Sequence, residues 1–293
     1  MNKQSFLRIV QFMLVGIVVW AGIRIYDYVK ADQAFDRMQE AFLEEVQVDA
    51  TDEATRETED LSEAEPEKTT KREDKQVDKQ EDKHEDQQED NVDTKHEDEE
   101  DKSKDEVSPL VQGVRNLHEQ YPDVVGRIRL EGTVLDYPIV QGDDNEFYLN
   151  HDYTGEYHGF GAIFLDRDNK LTFEDPNSVV YGHNVRTGKM FDPLAGYLEA
   201  DFLEDHPVIE IITLDEVKQY RVFAAYLGEP EAAYRYPTYS PEGWERFETY
   251  VSEKNVLDTE APMWGDNNIL TLSSCLQTWN RMVVHAELIM DET

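Results

Sequence analysis

Hydrophobic positions fall into three regimes along the chain. Residues 6–25 are apolar except for Arg8, Gln11 and Arg24, and their uninterrupted centre at 12–23 reads FMLVGIVVWAGI. Twenty helical residues rise about 30 Å, the thickness of a bilayer's hydrocarbon core. Arg8 and Arg24 stand near the two ends, where long cationic side chains reach the interface, and Trp20, Tyr26 and Tyr28 suit an aromatic belt. Beyond the span, Phe35, Met38, Ala41, Phe42 and Val46 recur at helical spacing and predict a short helix over 31–48. From 49 to 106 the periodicity vanishes.

At Ser108 an ordinary globular pattern begins. Ser108, Pro109 and Leu110 open a predicted helix to about Gln120, with Ser as N-cap and Pro in the first turn. Apolar runs then recur between turn signals at 124–130, 134–140, 161–165, 178–181, 208–214, 220–227, 269–274 and 282–289. Eight short strands at this spacing predict a mainly β domain with peripheral helices, built as a barrel or sandwich. Two helical patterns interrupt them, at 190–204 and at 241–255, the second with Ser240 as N-cap.

Charge sharpens this division. The formal net charge is −37, and residues 51–107 alone hold 25 acids against 10 bases with almost nothing apolar. Such a segment cannot bury enough surface to offset its ordering entropy. It reads as a solvated spacer, with HEDQQED and HEDEED as a rival reading as metal-binding tracts. The remaining 108–293 is also acidic, so nucleic acid is not expected as a partner, since binding it needs clustered Lys and Arg. Lys3 and Arg8 precede the apolar span while Asp27, Asp32 and Asp36 follow it. The positive-inside rule then puts the N-terminus in the cytoplasm and the rest outside. No small-x-small site closes the apolar run, which favours an uncleaved anchor over a cleaved signal peptide. The expected division is an N-terminal transmembrane signal-anchor at 1–30, with 6–25 in the lipid bilayer, an acidic low-complexity stalk at 31–107 and a folded domain at 108–293.

One cysteine excludes an intrachain disulfide and a Cys-rich metal site. That residue, Cys275, ends the run Asn268-Ile-Leu-Thr-Leu-Ser-Ser-Cys275, at a polar strand exit rather than inside a strand. Arg281 opens the next strand, so a hairpin over 276–280 would bring the two face to face across its mouth. A guanidinium beside a thiol favours the thiolate and offers donors to a developing oxyanion. Among eight histidines, His183 ends another apolar run, Asn177-Ser-Val-Val-Tyr-Gly-His183, at a polar exit. His285 shares parity with Val283 and Ile289 in mid-strand and reads as structural. Residue chemistry alone leaves Cys275, His183 and Arg281 open between a catalytic set and ordinary strand-end polar residues.

Val180-Tyr-Gly-His-Asn184 followed by Met190-Phe191, with Thr271-Leu-Ser-Ser-Cys275 and Arg281-Met-Val-Val-His-Ala286 downstream, resembles the sortase family. The order of motifs over about 108–290 is most similar to class B. The resemblance implies an eight-stranded sortase-type barrel and a Gram-positive cell-surface cysteine transpeptidase. It implies Cys275 as nucleophile, His183 as general acid/base and Arg281 as positioner of substrate and oxyanion. It further implies that Asn145, Leu149, Tyr181 and Ser273 line a substrate cleft. The implied partners are secreted proteins with a C-terminal sorting signal, and an amine of a cell-wall precursor or of a pilin. No cofactor and no metal are implied. A thiol protease that hydrolyses peptides and a non-catalytic surface module on an acidic stalk are the alternatives.

Overall fold

The computed structural model describes the backbone of residues 3–60, 107–185, 187–199, 201–229, 233–259, 268–275 and 280–290; the side chains of 3–10, 47–60, Ala233 and Cys275 are not described. The acidic tract at 61–106 and the hairpin tip at 276–279 lie outside the described residues. Helix α1 (Lys3–Asp60) is followed by α2 (Pro109–Gln120), then by β1 (Val124–Arg129), β2 (Asp136–Val140), β3 (Ile163–Leu165), β4 (Asn177–Val185) and the two-residue β5 (Lys189–Met190). A short α3 (Phe202–Asp205) precedes β6 (Val208–Thr213) and β7 (Val217–Gly228). Helix α4 (Pro241–Lys254) then leads to β8 (Ile269–Cys275) and β9 (Arg281–Leu288).

The strands run in the order β3-β2-β1-β6-β7-β9-β8-β4, and β3 pairs back to β4, so eight strands close a barrel. β5 adds a small hairpin to β4. All eight apolar runs of the sequence are barrel strands, because period-two alternation sends one face inward and the other toward covering elements. On β9, for example, Met282, Val284 and Ala286 enter the barrel interior while Val283 packs outward beneath α4. Ser240 caps α4 by accepting from Gly243 N at 3.2 Å. Ser108 occupies the N-cap of α2 but makes no side-chain cap bond, and Pro109 at the first helical position has no N–H to leave unpaired.

The helical pattern at 190–204 is not one helix. Met190 takes φ +57 at the end of β5, a 3-10 turn spans Asp192–Leu198, and α3 is a separate single turn. The cause is Phe202, whose ring folds back onto Gly196 so closely that a Cβ there would lie 2.5 Å from it. Continuous α-helix would set these two residues about 9 Å apart along the axis, so the contact requires the helix to be broken.

α1 does more than cross from the N-terminus. Its first half exposes Phe12, Ile17, Val18 and Trp20, and the helix is long and apolar enough to span a membrane by length and composition. Its second half packs on the barrel. Phe35, Phe42 and Val46, the helical stripe seen in the sequence, are 1%, 0% and 3% exposed. Gln39 Nε2 donates to Asp136 O at 2.5 Å, and the Arg127 guanidinium lies 5.4 Å from the Phe42 ring. A Cβ on Gly113 of α2 would meet Val46 Cα at 3.5 Å. Residues 31–46, assigned to the stalk by composition, therefore lie against the folded domain.

Candidate active site

The site is built on a parallel pair. β4 and β8 run side by side in unbroken register from Asn177↔Ile269 to His183↔Cys275. Val180 and its partner Leu272 belong to the barrel interior. By alternation, Tyr181, His183 and Ser273 take the outer face. His183 and Cys275 are ladder neighbours at the end of that register. His183 lies within β4, rather than at its exit, because the strand continues to Val185 and turns into β5. Cys275 is the last residue of β8.

Arg281 arrives from the other side of β8. β8 and β9 are antiparallel with Ser273 opposite Val283, and Met282 N donates to Ser274 Oγ at 2.9 Å. Arg281 opens β9, two residues before Val283, beside the end of β8. Its Nη1 donates to Ser274 O at 3.3 Å, and its buried Nε has no hydrogen-bond partner among the described residues.

The His183 ring is oriented by the chain. Its Nε2 lies 2.7 Å from Leu149 O, and a carbonyl only accepts, so Nε2 carries a hydrogen and Nδ1 is the basic nitrogen of the neutral ring. Leu149 ends the 3-10 turn Phe147–Leu149, whose start is capped by Asp144 Oδ1 accepting from the amides of Glu146 and Phe147 at 2.9 and 2.8 Å. Across from it, Gly161 holds φ +60, and a Cβ there would collide with Tyr148 O and sit 2.8 Å from Leu149 O. Only glycine fits that approach. Gly161→Ala is therefore expected to displace the Leu149 carbonyl and cut turnover by about tenfold to 100-fold, the scale of an ångström-sized misplacement. Steady-state rates per mole of titratable thiol, beside the melting temperature, check this.

The expected cleft residues divide. Asn145 Nδ2 and the Tyr181 hydroxyl both donate to Asp166 Oδ2 at 2.9 Å, and Arg167 N donates to Asn145 Oδ1 at 2.9 Å. Burial and the neighbouring Asp166 charge push the Tyr181 phenol far above its ordinary range, so it stays a donor. Leu149 is half-buried and bears on the site through its backbone carbonyl. Ser273 is fully buried, its Oγ 3.2 Å from the Tyr234 hydroxyl, so it faces outward but lies covered by its neighbours. Asp166 is the residue that sequence reasoning missed. It stands just past the run 161–165, at a polar strand exit like those that drew attention to Cys275.

Residues 128–289 match the family model described as Sortase domain. The chain belongs to the sortase family. Sortase B of Staphylococcus aureus is 33% identical over 193 residues, covering 64% of this chain and 78% of that relative. Sortase B of Listeria monocytogenes is 34% identical over 199 residues, covering 64% and 80%. The solved Staphylococcus aureus sortase B-substrate complex superposes with a TM-score of 0.58 at 32% identity, covering 62% of this chain and 87% of that one. The protein is thus a class B-like sortase, a cysteine transpeptidase on a closed eight-stranded barrel.

Beneath the site this sortase carries a buried polar chain. Thr271 Oγ1 donates to Asn177 Oδ1 at 2.6 Å and therefore accepts from His285 Nδ1 at 2.8 Å, while the Tyr226 hydroxyl donates to His285 Nε2 at 2.7 Å. Asn177 Nδ2 in turn donates to Tyr234 O and Tyr236 O, both at 3.0 Å. The chain ties β4, β8, β9 and the 234–236 segment together under the His183↔Cys275 rung. His285 is fully buried, and burial pushes its imidazole down to about 3 from the ordinary 6.5. A base whose pKa falls on folding stabilises the fold fully above the unfolded value, and loses that contribution as pH drops below it. Unfolding free energy is expected to fall by roughly 2 kcal/mol from this group between about pH 7 and pH 5. Urea titrations at the two pH values check it, with His285→Gln losing that component of the slope.

Proposed function

We propose that this sortase is a membrane-anchored transpeptidase that cleaves the C-terminal sorting signal of secreted proteins and joins them to an amine of the cell wall or of a pilin. Residues 6–25 act as its anchor, with the N-terminus cytoplasmic and the barrel outside the cell. Cys275 is the nucleophile, His183 the general acid/base and Arg281 the oxyanion and substrate positioner. The observation that carries this reading is the register that makes His183 the ladder partner of the chain's single cysteine.

The reaction follows from those roles. His183 Nδ1 takes the Cys275 thiol proton, and the thiolate attacks the scissile carbonyl carbon, forming a C–S bond and a tetrahedral oxyanion that the Arg281 guanidinium stabilises. The C–N bond breaks as His183 delivers a proton to the departing amine. The incoming amine then attacks the thioester, a new C–N bond forms and Cys275 leaves as thiolate while His183 takes the proton back. The Nε2–H bond to Leu149 supports this assignment, because it fixes the orientation of the ring beside the Cys275 rung. The unpartnered Arg281 Nε supports the positioning role. Asn145 and Tyr181, both held by Asp166, with Leu149, form the cleft wall, and Ser273 supports its floor.

The test is product identity. A sorting peptide taken from a secreted protein encoded beside this sortase is incubated with the enzyme and triglycine, which a solved sortase B binds. Mass spectrometry is expected to find the peptide's N-terminal fragment amide-linked to the added amine. Free acid as the sole product, even at saturating amine, would make the protein a thiol protease instead.

A further inference from the structure

Two separate segments hold His183, and α1 grips both. The first is the β4–β5 hairpin. Lys189 pairs with Val185 and Met190 with Asn184, and Phe191 N donates back to His183 O at 2.9 Å. From α1, Asp32 Oδ1 and Asp36 Oδ1 meet Lys189 Nζ at 2.6 and 2.7 Å, Thr187 Oγ1 donates to Asp32 Oδ1 at 3.1 Å, and the Phe35 ring lies 5.5 Å from the same ammonium. Burial alone would lower the Lys189 pKa, but its bonds to the two carboxylates outweigh that and hold it above the ordinary range.

The second segment carries the Leu149 carbonyl. His158 Nε2 donates to Ala31 O of α1 at 3.0 Å, and the Phe160 ring lies 5.7 Å from Tyr28 and 5.6 Å from Phe35. The next residue is Gly161, whose backbone abuts Leu149 O. One grip therefore bears on the backbone of His183 and the other on the acceptor of its ring. Apolar packing of Phe35 would be served anywhere on the barrel. One lysine shared by two carboxylates, on the hairpin that begins two residues past His183, fixes a particular place.

We propose that residues 28–39 of α1 are a positioning element for His183, clamping the Lys189 hairpin and the 158–161 segment so that the imidazole stays bonded to Leu149 through Nε2. The proposal rests on the catalytic role given to His183 above. It gives the membrane-proximal helix a part in the chemistry without contact with substrate. Lower down α1, Phe42 and Val46 supply separate apolar anchorage, so loss of the ion pairs is expected to loosen the hairpin without detaching the helix.

The test uses the full chain in detergent micelles. Imidazole nitrogen shifts, with the His183 signals assigned through His183→Gln, report the ring's tautomer directly. Wild type is expected to show the Nε2–H form. Lys189→Met, and independently the double change Asp32→Asn with Asp36→Asn, are expected to mix the two tautomers, and Lys189→Arg to restore the single form. Alkylation of the only cysteine by iodoacetamide is expected to slow by about tenfold in the first two, part of the roughly 100-fold that a misplaced catalytic group can cost. An intact Nε2–H signal with unchanged alkylation in either variant would overturn the proposal, as would mixing that appears only as the protein melts. His183→Gln separates the two claims. If it leaves alkylation unchanged, the acid/base role fails, while the nitrogen shifts still decide whether α1 sets the ring.

Discussion

Cys275→Ala is expected to leave a folded barrel with no acyl transfer. The chain has one cysteine in 293 residues, so a cysteine transpeptidase built from it has no second thiol to fall back on. Removing a covalent nucleophile that acts as a unit with its base costs roughly a millionfold in rate in a well-studied serine enzyme. The stability effect should be small, because Cys275 ends β8 and its backbone ladder to His183 does not depend on the side chain. Two measurements check this together: the melting temperature, and the mass of the enzyme after mixing with a sorting peptide. The wild type should carry a thioester-linked fragment and the variant none. Turnover above a few per cent of wild type in a folded variant would remove Cys275 from its role.

Arg281→Lys carries the second large effect. The guanidinium is a planar fork with five donors, and a lysine ammonium cannot reproduce two parallel bonds to one developing oxyanion. Loss of one such donor costs about 100-fold to 1,000-fold in rate. Arg281→Lys should therefore keep charge and fold while losing most of its activity, and Arg281→Ala should lose at least as much. A surface strand-end arginine would instead change stability by about 0.5 kcal/mol or less and leave chemistry alone. Single-turnover acylation distinguishes these, and near-normal acylation in the Lys variant would end the bidentate role. Loss in Ala but not Lys would leave only an electrostatic one.

How much of this was legible depends on how local each feature is. The eight strands could be read because alternation and turn residues are nearest-neighbour signals. Arg281 could be placed beside the end of β8 because five residues of hairpin leave few alternatives. That His183 and Cys275 share a rung could not be read from spacing, since their strands are parallel and over 90 residues apart; family resemblance, not periodicity, joined them. Leu149 was singled out as a cleft side chain, yet it bears on the site through its carbonyl, and a backbone atom leaves no mark in residue identity. The helical stripe of Phe35, Phe42 and Val46 was visible, but a stripe names no partner, so composition assigned it to the stalk. The single helix expected at 190–204 failed for a tertiary reason, the Phe202 ring closing on Gly196.

The meeting of Val46 with Gly113 has a mechanical consequence. Val46 and Gly113 touch on the barrel, so the contour length of the chain between them contributes nothing to how far the enzyme reaches. Height above the bilayer is set instead by α1, and from Ile25 to Ala31 that is about 9 Å of helix. With the anchor placed as proposed, the barrel rides on a short helical post. Shortening the chain between Val46 and Gly113 should leave the His183↔Cys275 rung where it is, whereas inserting turns into α1 between residues 25 and 31 should lift it. A fixed, low perch of this kind would hold the barrel close to the lipid, as a long leash would not.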